Sequence, residues 1–362
     1  MIKINATPDT YVAKYIISHQ QLRDNIRLYE TGENIINLQI GPGDIDFHDS
    51  VTGGPQNDLL HQCEQDIVAV WIEGLHSILD DISIFPKNKK YIFFCSYSWD
   101  YDLYRFPFEY TVLECNFHCW DRLFSYFNLY NFNFFTPLQY EFESPKPYKF
   151  YAPIGARRPV RNIFVQHLVD NIEFDDFVLS YQGQNLGKTD YYRLAVEDSK
   201  TNGHYDCLSP FADYKKYYVG LAELVPIKTM SQARLTLIVE TQIDYLGSFF
   251  HTEKTMKCII TGTPFVCYAN QYHLKNLREK VGFQTYSSLW DESYDNIEDP
   301  YKRSVAIVKL LNQLQNFDWE SARPELLRIA QHNMYNIFQF RNKERSIFIQ
   351  NSNNLKKFLG RE

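Results

Sequence analysis

Residues 235–269 read LTLIVETQIDYLGSFFHTEKTMKCIITGTPFVCYA. Leu235–Val239 is a short apolar and β-branched run without alternation, the pattern of a strand buried on both faces, and it ends at Glu240. A polar loop follows. His251, Thr252, Glu253 and Lys254 then open a helical stretch with Thr252 placed as its N-cap, and Gly262 stops it. Pro264–Tyr268 is a second short strand. Strand, helix and strand of this length make a βαβ unit and therefore a parallel sheet. Its loop and helix start lie where α/β proteins hold phosphorylated ligands, because free N–H groups and the helix dipole favour anions there.

Outward from this unit the alternation continues. Upstream, strand Lys149–Ile154 leads through Arg157 and Arg158 into a helix over Val160–Asp170, followed by strand Phe177–Tyr181. Residues Gln184–Lys216 are polar and loop-rich. Downstream, helices are expected over Gln271–Val281 (closed by Gly282), Pro300–Asn316 and from about Glu320 to Phe358. In the last, Phe338, Phe340, Ile347, Phe348 and Phe358 are too apolar to stay solvated, so it should pack back on the body. Nearer the start come a strand at Ile35–Ile40, a loop from Gly41 to Asp49, an amphipathic helix from about Asp58 to Leu79 and a strand at Lys90–Ser96. The aromatic stretch Phe106–Phe135 takes no clear assignment. Pro145 and Pro147 mark a boundary. The expected domains are 1–145, 146–320 and a helical segment 321–362. The expected fold class is α/β, with two Rossmann-like domains facing across a cleft.

Composition narrows the class. With 44% apolar and 22% charged residues the chain is globular rather than disordered. Its net charge of −7 argues against a dedicated non-specific nucleic-acid binder, which carries a basic excess. No signal peptide or run long enough to span a membrane is visible, so a cytoplasmic protein is expected. The 27 Tyr and 27 Phe have two readings: aromatic cores, or a groove that stacks sugars or bases. Cys115, His118 and Cys119 supply three zinc-type ligands, but no second pair at matching spacing completes four, and no metal is expected.

Three groups of residues can carry chemistry. Glu253 and Lys254 open a helix where an ammonium opposes the dipole, which suggests an anion bridging the pair; the plain alternative is a capped, solvated helix start. Arg157, Arg158 and Arg161 surround a strand-to-helix turn, and their planar guanidinium groups match phosphate oxygens. A solvated basic turn would look the same. Glu240 ends its strand at the carboxyl edge, where ligand sites of open α/β sheets form.

The segment from Ile238 to Ala269 resembles the donor-binding motif of the α-1,3-fucosyltransferases. That family carries a strand ending in Phe-Glu-Asn-Ser, then Asp-Tyr-Ile-Thr-Glu-Lys, a helix, and a strand reading Val-Pro-Val. Here Val239, Glu240 and Thr241 match the first part, Phe249 to Lys254 the second, and Thr263 to Val266 the third. Pro159, Val160, Arg161 and Asn162 resemble the turn that carries the family's nucleotide-contacting Arg. The resemblance is confined to the C-terminal half. It implies a GT-B-type glycosyltransferase with the acceptor side in 1–145 and nucleotide-sugar binding in 146–320, in which Arg161 and Lys254 hold the diphosphate of the donor and Glu253 its ribose or sugar. Phe250 stands where the family has a Tyr, and Thr241 and Gln242 replace its Asn-Ser, so base and sugar stay open between GDP- and UDP-linked donors. Thr252 completes the expected donor-side set. Leu277–Asp295 is also similar to proteins of phages and large viruses usually labelled glycosyltransferases, which suggests a viral source and a host cytoplasm.

A glycosyltransferase of this type uses no tightly bound cofactor and neutralises the leaving diphosphate with side chains rather than a metal. An inverting enzyme also needs a base for the acceptor hydroxyl. The candidates are Asp46, Asp44 and His48, in the loop from Gly41 to Asp49, with Glu73 and Asp100 behind them. The expected acceptor is a carbohydrate. Two alternatives stand: sugar transfer to hydroxymethylated bases of viral DNA, which requires an extruded base, or a non-catalytic nucleotide- or glycan-binding protein.

Overall fold

The computed structural model describes residues 2–5, 38–40, 45–48, 66–72, 82–95, 105–114, 140–154, 158–172, 177–181, 184–185, 230–241, 243–244, 249, 251–358 and 360. The chain forms two compact units, Met1–Asn116 with Asn342–Glu362, and Phe117–Arg341.

In the first unit, β1 (Ile2–Asn5), β2 (Leu38–Ile40), β3 (Ile45–His48), β4 (Ile67–Ile72), β5 (Lys90–Cys95) and β6 (Glu109–Glu114) form one sheet. Its order is β2-β1-β3-β4-β5-β6 and every neighbouring pair is parallel. The order reverses at β1, as in doubly wound α/β sheets. Val68 and Val70 of β4 are fully buried. Beside them Tyr91 and Phe93 stack with ring centroids 5.6 Å apart, and Phe85 and Phe108 close over both. These aromatic rings belong to the core.

Two expectations fail here. The helix expected over Asp58–Leu79 is contradicted by β4, whose Ile-Val-Ala-Val-Trp-Ile run pairs with β3 on one side and β5 on the other. A central parallel strand is apolar on both faces and lacks the alternation that separates strand from buried helix. Asp46 and His48 lie in β3 rather than in a loop, because Ile45–His48 alternates apolar and polar residues and pairs with β1 and β4.

The second unit begins with β7 (Tyr148–Ile154), α1 (Pro159–Asn171), β8 (Phe177–Tyr181) and the two-residue β9 (Gln184–Asn185). Then come β10 (Ala233–Val239), α2 (Glu253–Thr261), β11 (Phe265–Tyr268), α3 (His273–Asn276), α4 (Pro300–Leu314) and α5 (Trp319–Phe358). The sheet order is β11-β10-β7-β8-β9, parallel except at β8 and β9. The second half of α5, from Asn342, groups with the first unit, where Lys90 lies over the Phe358 ring.

The βαβ reading of residues 235–269 holds in detail. Leu235, Leu237 and Val239 are fully buried and so is Ile238 between them, so β10 has no solvated face. Burying each such side chain contributes about 2 kcal/mol. Thr252 caps α2, its Oγ1 accepting from Lys254 N at 3.2 Å. Gly262 ends the helix at φ 77°, a left-handed position that favours glycine, and Thr263 N returns to Cys258 O at 2.9 Å. The expected helix Gln271–Val281 starts later and is less regular. Tyr272 takes φ 62°, α3 follows, and a π-turn over Leu277–Val281 stops at Gly282. On the face of α1, Phe164 packs against Tyr268 of β11 with centroids 4.3 Å apart, and Tyr286 stacks on Trp290 at 4.7 Å beyond β11. No described helix is long and apolar enough to cross a membrane.

Candidate functional site

The order β11-β10-β7-β8 sets the site. From β7 the chain moves through α1 to β8 on one side; from β10 it moves through α2 to β11 on the other. Right-handed crossovers then send α1 and α2 to opposite faces, and the carboxyl ends of β7 and β10 diverge into two loops. That point is a topological switch, where open α/β sheets bind ligands.

Glu240 follows the last residue of β10 and is fully buried. Its Oε1 accepts from the Thr252 backbone N–H at 3.0 Å and from Thr255 Oγ1 at 2.6 Å, and its Oε2 accepts from Thr252 Oγ1 at 2.7 Å. The strand's terminal carboxylate thus sits against the start of α2, where N–H groups and dipole stabilise a negative charge. The anion closest to this helix start is the protein's own.

Cations gather around the backbone of Glu240 and Thr241. Arg161, on the first turn of α1, is 3% exposed and donates through Nη2 to the Glu240 carbonyl at 2.8 Å and through Nε at 3.3 Å. Arg158, just before α1, is exposed and donates through Nη1 to the Thr241 carbonyl at 3.0 Å. Lys254 is half-buried; its Nζ donates to Thr252 Oγ1 at 3.1 Å and reaches Thr241 Oγ1 at 3.4 Å. Arg158, Arg161, Glu240, Thr252 and Lys254, drawn from two βα turns far apart in sequence, therefore share one edge of the sheet. The exposed members are Arg158 and, in part, Lys254. Arg161 is a buried brace between α1 and the end of β10.

The other candidates stand as follows. Glu253 is the first residue of α2, and its side chain lies outside the described residues, as do Arg157 and Phe250 altogether. In the first unit His48 is the last residue of β3 and Asp46 pairs with Asn5 of β1, so both lie on β3, one of the two strands flanking that sheet's reversal. Asp44, Glu73 and Asp100 fall outside the described residues, as do Cys115, His118 and Cys119.

Sequence reading named Thr241 in the motif without giving it a contact, and missed Thr255. Thr255 carried a signal: it lies three residues after Thr252, one helical turn on, so both hydroxyls can face one acceptor. It also missed a buried pair of histidines. His251 and His273 are each 1% exposed and both lie against the Phe249 ring, at 4.9 and 5.4 Å. Burial, with the neighbouring His273 second, holds His251 down at about 3; burial likewise lowers His273, against the pull of Glu240 and Asp295. Asp295 accepts from Leu274 N and Lys275 N at 2.9 Å each, and burial raises its carboxyl. Cys258 and Cys267 are buried free thiols, both pushed up by burial, and so are poor nucleophiles.

The stretch Leu277–Asp295 has a structural role here. Glu292 accepts from Tyr286 N at 2.8 Å, from Thr285 Oγ1 at 2.6 Å and from Arg278 at 2.8 Å, fastening the π-turn to the loop after it.

No protein-family model matches the chain, and no curated protein is significantly similar to it.

Proposed function

We propose that the protein is a glycosyltransferase of GT-B type that takes its sugar from a nucleotide-diphosphate donor bound by the second unit. The observation that carries this reading is the meeting of Arg158, Arg161 and Lys254 around Glu240 and Thr241, at the carboxyl ends of β7 and β10. Arg158 and Lys254 offer a guanidinium fork and an ammonium to the diphosphate oxygens, and Thr241 Oγ1 adds a hydroxyl. Arg161 positions the backbone carrying Glu240 and Thr241. Glu253, the first residue of α2, takes in this reading the ribose or sugar hydroxyl that the fucosyltransferase resemblance implies.

Bond breaking at the sugar's anomeric carbon moves negative charge onto the leaving diphosphate. Cations fixed before the reaction stabilise that charge without reorganising. For the acceptor hydroxyl, Asp46 and His48 on β3 are the proposed bases, with Asp44 before them. The acceptor in this reading is a carbohydrate.

The test is release of nucleoside diphosphate from UDP- and GDP-sugars, measured with oligosaccharides and with hydroxymethylated DNA as acceptors. Transfer to an oligosaccharide that is lost in Lys254→Ala supports the reading. Transfer to the DNA alone redirects it to nucleic-acid modification, and binding of nucleotide without turnover leaves a binding protein.

A further inference from the structure

Tyr272 is the one non-glycine residue at positive φ among the described residues, at 62°. For a residue with a Cβ the left-handed region costs about 1 kcal/mol or more, and Gly or Asn ordinarily fills it. Burial does not compensate, because Tyr272 is 41% exposed. The conformation is imposed from below. Tyr272 N donates to the Asp295 carbonyl at 2.7 Å, and the Asp295 carboxylate takes the N–H groups of Leu274 and Lys275. Asp295 is itself 4% exposed, so the loop has a fixed floor. A large flat ring is thus held partly in water by a buried carboxylate, at a position where glycine would suit the backbone better.

Its place in the sheet gives the ring a use. β11 neighbours β10, and the Tyr268 carbonyl that ends β11 accepts from Glu240 N at 2.9 Å. Tyr272 leaves that same carboxyl edge four residues later, so its Cα lies within about 15 Å of Tyr268, the most four peptide links can span. The cations Arg158 and Lys254 surround Glu240 and Thr241 on this edge, and Lys275 adds its ammonium 5.2 Å from the Tyr272 ring. A nucleoside diphosphate has two unlike ends, an anionic one for the cations and a flat aromatic one for a ring.

We infer that Tyr272 is the stacking platform for the nucleobase of the donor, an assignment that rests on the nucleotide-binding reading of the same sheet edge. Stacking tolerates every base, since each has a π face, so Tyr272 supplies affinity while other contacts choose the base. Strained backbone held by its surroundings fits such pre-organisation.

The experiment is titration of the full chain with UDP, GDP and inorganic pyrophosphate, which carries the phosphates but no base. Tyr272→Gly removes the ring and suits the left-handed backbone, so its thermal midpoint should not fall. The expected result is a loss of about tenfold or more in affinity for UDP or GDP, with pyrophosphate binding unchanged. Tyr272→Phe should bind within about twofold of the original chain. Nucleotide affinity unchanged in Tyr272→Gly, or pyrophosphate and nucleotide weakened alike, overturns the assignment and leaves the donor site standing. Failure of the unaltered chain to bind any of the three overturns both.

Discussion

The Glu240 carboxylate accepts the backbone N–H of Thr252 at 3.0 Å, joining the end of β10 to the start of α2. Both oxygens are used: three donors converge on a group with no solvent exposure. Removing the carboxylate leaves two hydroxyls and an N–H to find partners in a dry place, and a buried unsatisfied donor costs about 1–3 kcal/mol. Glu240→Ala should therefore lower the unfolding free energy by about 2–4 kcal/mol in a denaturant titration. Glu240→Gln, which keeps one acceptor oxygen but turns an amide towards a donor, should fall between. An unchanged midpoint for Glu240→Ala would show that the carboxylate does not hold the two elements together.

Gly262 ends α2 with φ 77° and is buried. Replacing it with Ala keeps the helix but places a Cβ in the left-handed region. The expected loss is about 1 kcal/mol, read as a lower denaturation midpoint at unchanged slope.

Acid should loosen the second unit. His251 titrates near its ordinary 6.5 in the unfolded chain and near 3 in the folded one. Between those values the unfolded chain holds the extra proton, so stability is full above pH 6.5 and falls as pH drops towards 3. The slope is about 1.4 kcal/mol per pH unit for each fully shifted histidine. His273 is lowered too and adds in the same direction. Asp295 and Glu292, raised by burial, act with the opposite sign at the acid end, because the folded chain keeps their protons longer. The effect is therefore clearest just below pH 6.5. Unfolding curves at pH 7 and 5.5 should differ, and the difference should shrink in His251→Gln.

How much of this was legible in the sequence depended on whether the signal was local. The βαβ unit could be read because Leu235–Val239, Thr252 and Gly262 each carry a short-range meaning: a two-faced strand, a cap and a stop. β4 could not, since a buried parallel strand and a buried helix segment show the same apolar run. Within the candidate site, Arg158 and Lys254 could be named, but not their meeting around Glu240 and Thr241, which depends on β7 and β10 lying side by side. The left-handed Tyr272 gave no sign either, because Asp295, which fixes it, lies more than twenty residues away. Burial of Arg161 as a brace is likewise a tertiary fact that a basic turn does not announce.

The proposed donor site lies at the carboxyl ends of β7 and β10. Titration calorimetry with UDP and GDP, on the unaltered chain and on Lys254→Ala, probes that site. Lys254 is half-buried at the helix start, so its truncation should change stability by less than about 1 kcal/mol. Saturable binding of at least one nucleotide is expected, with a loss of about tenfold or more in Lys254→Ala, a charge-assisted contact being worth about 1.5–3 kcal/mol. Failure of both nucleotides to bind, or equal binding by the folded Lys254→Ala protein, would overturn the donor-site assignment.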